Sequence, residues 1–243
     1  MTAAVETRRR WPLLRVLLTA HVPFVVLLWL LFTVVAMVIT GIVAAAAGIS
    51  DSILHQLATQ LPRWLLFGLG IDVVSTYLRI QLAHGRTRRE FLGQAVLYSV
   101  VVSGVAAVLI TLGYLLERGY YAVFGWSQDL SSEAVFTAAN QYPAILGTYW
   151  LSLLLWTVAG LVIGLGFFRD NGLGILTIPI GLVVVLPALA LFRNDGLPVL
   201  GEVIADYPVT VGTLLAASAV VLAVAVAAAW AIVRDAPMKT KAP

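Results

Sequence analysis

The stretch Ala83-His84-Gly85-Arg86-Thr87-Arg88-Arg89-Glu90-Phe91 is a short basic loop between two long hydrophobic segments. Gly85 is the residue type that most often follows the end of a helix, because it tolerates a positive φ. Thr87-Arg88-Arg89-Glu90 fits the capping box, in which Thr87 and Glu90 accept from each other's backbone N–H groups. The stretch therefore predicts that one helix ends at Gly85 and that a new helix begins at Arg88.

Composition places this loop in a membrane protein. Of the 243 residues, 61% are hydrophobic and 11% are charged, and the mean hydropathy is +0.98. Soluble domains carry roughly 25% charged residues, so one water-soluble core cannot hide this much apolar surface. The absence of cysteine excludes disulfides, thiolate catalysis and cysteine-ligated metals. The pI of about 9.4 comes from arginines at the ends of apolar segments and does not indicate nucleic-acid binding.

Six apolar segments are near or above the length of about 20 residues that crosses a bilayer. Backbone groups must be satisfied internally in lipid, so the sequence predicts an all-α integral membrane protein with six transmembrane helices. A β-barrel would need short alternating segments instead. The predicted spans are Val22–Ala47, Trp64–Leu82, Ala95–Leu116, Ala144–Phe168, Leu173–Leu191 and Val209–Val233.

The basic residues orient these spans, because loops rich in arginine and lysine stay in the cytoplasm. With a cytoplasmic N-terminus, far more basic residues fall in cytoplasmic segments than in outer segments, so both termini are predicted to be cytoplasmic. The cytoplasmic group is Arg8, Arg9, Arg10, Arg15, Arg86, Arg88, Arg89, Arg169, Arg234, Lys239 and Lys241, and the outer group is Arg63, Arg118 and Arg193.

The predicted domain organisation is a single transmembrane domain over residues 1–243. It comprises a cytoplasmic or interfacial segment at 1–21, a six-helix bundle at 22–233 and a cytoplasmic tail at 234–243. The first apolar stretch, about 25 residues long, exceeds the 7–15 residues of a cleaved signal peptide. Residues 11–18 form either an interfacial helix or the early start of the first span, and Pro23 predicts a bend or a fresh helix start.

Two outer segments are longer than simple turns. Residues 117–143 are rich in tyrosine and tryptophan, which favour the headgroup layer, and Asp129, Ser131 and Ser132 are candidate caps of a short helix. Residues 197–205 form an apolar patch that is too short to span, which predicts a re-entrant or interfacial hairpin.

The arginines of the opening loop have two interpretations: topology signals alone, or a docking surface for a soluble partner. The chain resembles a permease subunit of ATP-binding cassette (ABC) transporters, in the type-2 export group common in actinobacteria. There the second span is followed by a glycine, a basic pair and an aromatic residue, as at residues 85–93 here. The polar turn at 168–172 and the apolar hairpin before the last span also resemble that family.

This resemblance implies a short coupling-type helix between spans 2 and 3 that docks on a cytoplasmic ABC ATPase. No G-x-x-x-x-G-K-[ST] phosphate loop occurs in the sequence, so ATP and magnesium are expected on that partner, with no cofactor and no enzyme activity on this chain. A second permease subunit, identical or related, and a bacterial cell (plasma) membrane are also implied. The docking residues would be Gly85, Arg86, Thr87, Arg88, Arg89, Glu90 and Phe91.

Asp72 is the one acid well inside a predicted span. With Ser75, Thr76 and Arg79 it forms a polar stripe at i, i+3, i+4 and i+7. Either this stripe lines a path or a subunit interface, since an intramembrane acid should avoid lipid, or Asp72 bonds a neighbouring helix as structural glue. Direct pairing of Asp72 with Arg79, about 10 Å apart along the axis, is not expected.

The remaining candidate groups favour packing over chemistry. Small residues in the fourth span (Gly160 and Gly164) and the last span (Ala216, Ala217, Ala223 and Ala227) predict close helix contacts. The three histidines, His21, His55 and His84, fall in different end regions, and no H-E-x-x-H motif is present, so no metal or haem site is predicted.

Two alternatives to a transport subunit remain open. An integral membrane enzyme would rely on Asp72 and Asp170 and would need a partner base or metal within reach. A non-transporting membrane anchor subunit of a larger complex would need no polar path.

Overall fold

The computed structural model describes residues 12–47, 51–130, 135–192 and 210–235. Within these ranges the regular elements are all helices, and the only β-type pairing is an isolated bridge between Asp51 and Asp129. In chain order the elements are α1 (Pro12–Ala47), α2 (Ile53–Ala58), α3 (Leu61–Asp72), a π-helical segment (Val73–Leu78), α4 (Arg79–Ala83), α5 (Arg88–Phe124), α6 (Tyr142–Arg169), α7 (Asn171–Ala190) and α8 (Val211–Arg234).

Six helical units in the described ranges are long and apolar enough to cross a membrane, which confirms the predicted helical class and the number of such helices. The second unit is composite and runs from α2 to α4. α5 differs from the prediction at both boundaries, because it begins at Arg88 rather than Ala95 and ends at Phe124 rather than Leu116. The capping box starts the helix early, and Gly125 ends it with a φ of 69°.

α1 is one continuous helix of 36 residues that begins at Pro12. Pro23 lies inside it and does not start a new helix, so the early-start interpretation of the first span is the one observed. At a rise of 1.5 Å per residue, α1 and α5 are each about 55 Å long, so both extend beyond a hydrocarbon layer of roughly 30 Å.

α6 is the central helix and packs against α3, α5, α7, α8 and the π-helical segment. In its most apolar stretch 78% of the residues are buried, against 17% in α1. Gly160 permits the predicted close contact, because a Cβ there would overlap the carbonyl oxygen of Phe67 in α3. Gly164 lies against Ile71 one turn further on, so α3 and α6 run parallel.

The outer helices expose apolar faces. α1, α7 and α8 carry large side chains such as Leu27, Leu176 and Val224 that are more than half exposed. The four alanines predicted to pack in the last span are exposed in α8; Ala225 and Ala229 lie on its buried face instead. The prediction of close contacts at those four alanines was wrong within this chain. Small residues occur on every face of α8, so their presence alone does not show which face packs.

The predicted outer segments are only partly described. Glu117, Tyr120 and Tyr121, placed in a loop by the sequence, belong to the last two turns of α5. Asp129 forms a backbone bridge to Asp51. Ser131 and Ser132, and with them the predicted short helix, lie outside the described residues. The predicted hairpin at 197–205 also lies outside them.

Candidate functional site

The loop between α4 and α5 starts with a helix C-cap. The Gly85 N–H donates to the carbonyl of Leu82 (3.0 Å), and the Arg86 N–H donates to the carbonyl of Gln81 (3.1 Å). This is the Schellman pattern, and Gly85 takes the positive φ, 71°, that it requires. The predicted end of the second span is therefore confirmed at this glycine.

The predicted capping box is also present at the start of α5. The Glu90 N–H donates to Thr87 Oγ1, and the Thr87 N–H donates to Glu90 Oε2, both at 3.1 Å. The expected short coupling-type helix is not a separate element among the described residues. Arg88 instead opens the 37-residue α5, which continues without a break to Phe124.

The residues predicted to dock a partner differ in exposure. Gly85, Thr87 and Arg89 are exposed, Arg86, Arg88 and Glu90 are half-buried, and Phe91 is buried. Phe91 therefore anchors the first turn of α5 in the core, and Arg89 lies on the outer surface of that turn.

Contacts between helices place other basic residues at the same end of the bundle. Gln94 Oε1 in α5 accepts from the backbone N–H groups of Leu13 (2.9 Å) and Leu14 (3.2 Å), which are otherwise unsatisfied at the start of α1. The guanidinium of Arg79 lies 5.7 Å from the ring centroid of Phe168, so α4 begins beside the end of α6.

Arg169 joins the end of α6 to the end of α8. Its guanidinium donates to the carbonyl oxygens of Ala231 (3.5 Å) and Ile232 (3.2 Å), which have no partner inside the last turn of α8. One end of the bundle, called the arginine end below, therefore carries Arg15, Arg79, Arg86, Arg88, Arg89, Arg169 and Arg234.

Asp72 contacts a histidine that sequence reasoning did not connect with it. His21 Nε2 of α1 lies 3.4 Å from Asp72 Oδ2, and His21 Nδ1 lies 2.6 Å from the Tyr98 hydroxyl of α5. A neutral imidazole with its proton on Nε2 satisfies both contacts, because Tyr98 then donates to Nδ1. The chain from Tyr98 through His21 to Asp72 joins α1, α3 and α5.

The predicted polar stripe lies on the outside of the bundle. The Asp72 side chain is 43% exposed, and Ser75, Thr76 and Arg79 are exposed. Thr76 Oγ1 donates to Asp72 Oδ1 (2.8 Å). Asp72 is also the last residue before the π-helical segment, a geometry often found at functional sites. The contact with His21 fits the glue interpretation, and the exposed stripe fits the path or interface interpretation.

Glu117 is a buried acid that the sequence did not mark as a candidate site residue. It is 1% exposed at the other end of the bundle, called the opposite end below. Its carboxylate accepts from Ser52 Oγ (2.5 Å), the Leu54 N–H (2.9 Å) and Gln128 Nε2 (2.7 Å), so it caps α2 and holds residue 128 to α5. The one sequence signal for this residue was its place directly after the predicted end of the third span. That signal does not identify its partners, which lie up to 65 residues away.

The other titratable groups have structural contacts. His55 Nδ1 lies 2.6 Å from the Tyr114 hydroxyl, which lies 3.0 Å from the Tyr149 hydroxyl. Asp170 accepts from the Gly172 N–H (2.8 Å) and caps α7. In the part of the chain that the structure describes, no group of three or more histidine or acidic side chains is placed to hold a metal ion.

The candidate site thus has two parts: the capped arginine turn at 85–91 and the Asp72 stripe with its brace to α1. Both are defined by this chain's own contacts. No protein-family model, curated protein or solved structure matches the chain.

Proposed function

We propose that this chain is the membrane-spanning permease subunit of an ATP-driven ABC exporter in a bacterial plasma membrane. The observation that carries the proposal is the exposed polar stripe of Asp72, Ser75 and Thr76 within a helical unit of membrane-spanning length. An acid in a span is stable only where it faces protein or water. A second permease subunit, identical or related, would cover the stripe and leave a polar seam between the two chains.

The arginine end supports a cytoplasmic orientation of both termini and of the loop at 84–87. Seven arginines of four separate chain segments lie there, and loops rich in arginine stay in the cytoplasm. Arg89, which is exposed, would face the acidic groups of a soluble protein or headgroup phosphates.

The capped turn supports a mechanical role for the loop. Both ends of the four-residue connection are held by backbone hydrogen bonds, at Gly85 and at Thr87. Phe91 anchors the turn in the core. A movement imposed on Arg89 would therefore pass into α5, which also contacts α1 through Gln94. ATP and magnesium would be bound by the partner ATPase, and this chain would supply the surface that the ATPase moves.

A photoreactive residue placed at Thr76 tests the covered stripe. In native membranes, position 76 should cross-link to a second permease subunit, because the stripe is covered by protein. The matched control is position Val220, a 62%-exposed residue on the apolar face of α8, which should give lipid adducts. Lipid adducts alone at both positions would contradict a second subunit on the stripe.

One specific observation favours the alternative that the chain is an integral membrane enzyme. His21 beside Asp72 supplies a base next to an acid inside the membrane. That alternative predicts substrate turnover by the chain without any ATPase, whereas the permease proposal predicts function only with ATP hydrolysis by the partner.

A further inference from the structure

Arg63 is a positive charge that lies far from both ends of the bundle. It belongs to the first turn of α3, and its guanidinium carbon lies 5.4 Å from the ring centroid of Trp156 in α6. Trp156 lies halfway along the 28 residues of α6, about 20 Å from each end. The length of α6 matches a bilayer of about 40–45 Å with its headgroups, so Arg63 lies inside the hydrocarbon layer, close to its middle.

The guanidinium of Arg63 has an open donor and no acid beside it. Its Nη2 donates to Gln60 Oε1, and its Nε is buried without a partner. Nη1 is not buried, and it has no hydrogen-bond partner among the described residues. Within the same residues, no carboxylate forms an ion pair with Arg63. A charge at this depth is costly unless it is paired, so an anion from outside the chain is needed at Nη1.

The arginine borders the outer face of α3. Leu61 and Trp64 on this face are both 57% exposed, and Arg63 is half-buried at its edge. Further along the same helical unit, the exposed face continues into Ser75 and Thr76 of the polar stripe. A membrane-spanning subunit that packs along the stripe would therefore also lie beside Arg63.

A second identical copy does not offer an acid at the right depth. The acids within the six helical units are Asp72, Glu90 and Glu117. Asp72 lies about 13 Å from Arg63 along the helical unit and already contacts α1, and the two glutamates lie near the two ends of the bundle. Two copies inserted in the same orientation place equal residues at equal depths. None of these carboxylates would then meet Arg63 of the other copy.

We propose that the second permease subunit is a related but non-identical chain, and that one of its membrane-spanning helices places a carboxylate against Nη1 of Arg63. Charge complementarity carries this inference, because headgroup phosphates lie about 20 Å from the middle of the bilayer. A carboxylate and a guanidinium form a strong charge-assisted hydrogen bond. The inference rests on the proposed second subunit and specifies its chemistry.

Cross-linking from position 64 in native membranes tests the identity of the partner. Two copies of the chain with different tags are expressed together, and one carries a photoreactive residue in place of Trp64. The expected product joins position 64 to a membrane-spanning segment of a different protein, with Asp or Glu within about one turn of the cross-link. A product that joins the two tagged copies, a partner segment without an acid, or lipid adducts alone would overturn the inference.

Substitutions at Arg63 test the ion pair itself. Arg63→Gln should lower the yield of this cross-link at least about tenfold, because the partner's carboxylate is left in the membrane without a cation. Arg63→Lys should keep most of the yield, and Arg15→Gln, at an exposed position of α1, is the control that should keep all of it. Arg63→Glu should be rescued when the partner's acid is changed to arginine. Full yield for Arg63→Gln, or no rescue between folded proteins, would refute the pairing.

The cross-link at Thr76 separates this inference from the proposed function. If position 76 joins a second copy of this chain, the permease proposal stands and the non-identical partner is wrong. If neither position 64 nor position 76 joins a protein, both the second subunit and its acid are wrong.

Discussion

The two ends of this bundle use charge in opposite ways. At the arginine end, Arg89 is exposed and the side chains that bond the backbone, Thr87 and Glu90, act within four residues of each other. At the opposite end, Glu117 is buried and bonds groups that lie 11 to 65 residues away.

This difference distinguishes charges that can be changed without unfolding the protein from charges that hold the fold together. A charge that is exposed on a locally capped turn can be changed with little effect on folding, because surface substitutions are usually worth less than about 0.5 kcal/mol. A buried carboxylate that satisfies three donors cannot be changed without loss of stability, because each donor left unpaired costs about 1–3 kcal/mol. Arg89 can therefore be changed to test partner binding with little effect on the fold.

The largest expected effect is at Glu117. Glu117→Ala leaves Ser52 Oγ, the Leu54 N–H and Gln128 Nε2 without their acceptor, so the free energy of unfolding should fall by about 3 kcal/mol or more. Thermal or denaturant unfolding in detergent measures this loss. Arg118→Ala, an exposed neighbour, should change it by less than about 0.5 kcal/mol; equal losses for both variants would remove the contrast between the two ends.

Asp72→Asn should impair function more than folding. The amide oxygen still accepts from Thr76 Oγ1, so unfolding should change by less than about 1 kcal/mol. Under the permease proposal, the rate of ATP hydrolysis by the assembled complex should fall about tenfold, equivalent to 1.4 kcal/mol, because the proposed seam between two subunits would lose its charge. His21→Ala is the matched variant for the brace. Similar stability losses for both variants, with hydrolysis intact, would support the glue interpretation instead.

An effect of similar size, on stability alone, is expected at Gly85. Gly85→Ala forces a side chain into a φ of 71° and should cost about 1–2 kcal/mol of stability. Gly93 lies at an exposed position of α5, and a Cβ added there would meet open space. Gly93→Ala should therefore be neutral or stabilise by up to about 1 kcal/mol. Unfolding midpoints of the two variants measure the difference, and a loss at Gly93 as large as at Gly85 would contradict the cap geometry.

The smallest effect is expected from the capping box. Thr87→Ala removes one of its two hydrogen bonds and should cost about 1 kcal/mol, whereas Thr87→Ser should restore most of the stability. Hydrogen exchange of the Glu90 amide reports the change directly. Unchanged protection of that amide in Thr87→Ala would show that the box does not hold the turn.

The parts predicted well from sequence are those decided by nearby residues. The six apolar helices follow from continuous hydrophobic runs, and the Gly85 and Thr87 caps from the chemistry of seven consecutive residues. The His21–Asp72 and Glu117–Ser52 contacts join residues 51 and 65 positions apart, and nothing in a single sequence pairs them. The packing face of α8 was wrong for a similar reason, since only its neighbours decide which alanines are buried.

The central claim is that the arginine end docks the ATPase that drives this subunit, and one measurement tests it most directly. The ATPase activity that co-purifies with the chain is compared for Arg88→Glu/Arg89→Glu and for Arg118→Glu at the opposite end, with thermal unfolding as the folding control. The proposal predicts that the double variant stays folded but loses at least about 90% of the activity, a tenfold change, while Arg118→Glu keeps it. Full activity of the folded double variant would contradict the claim.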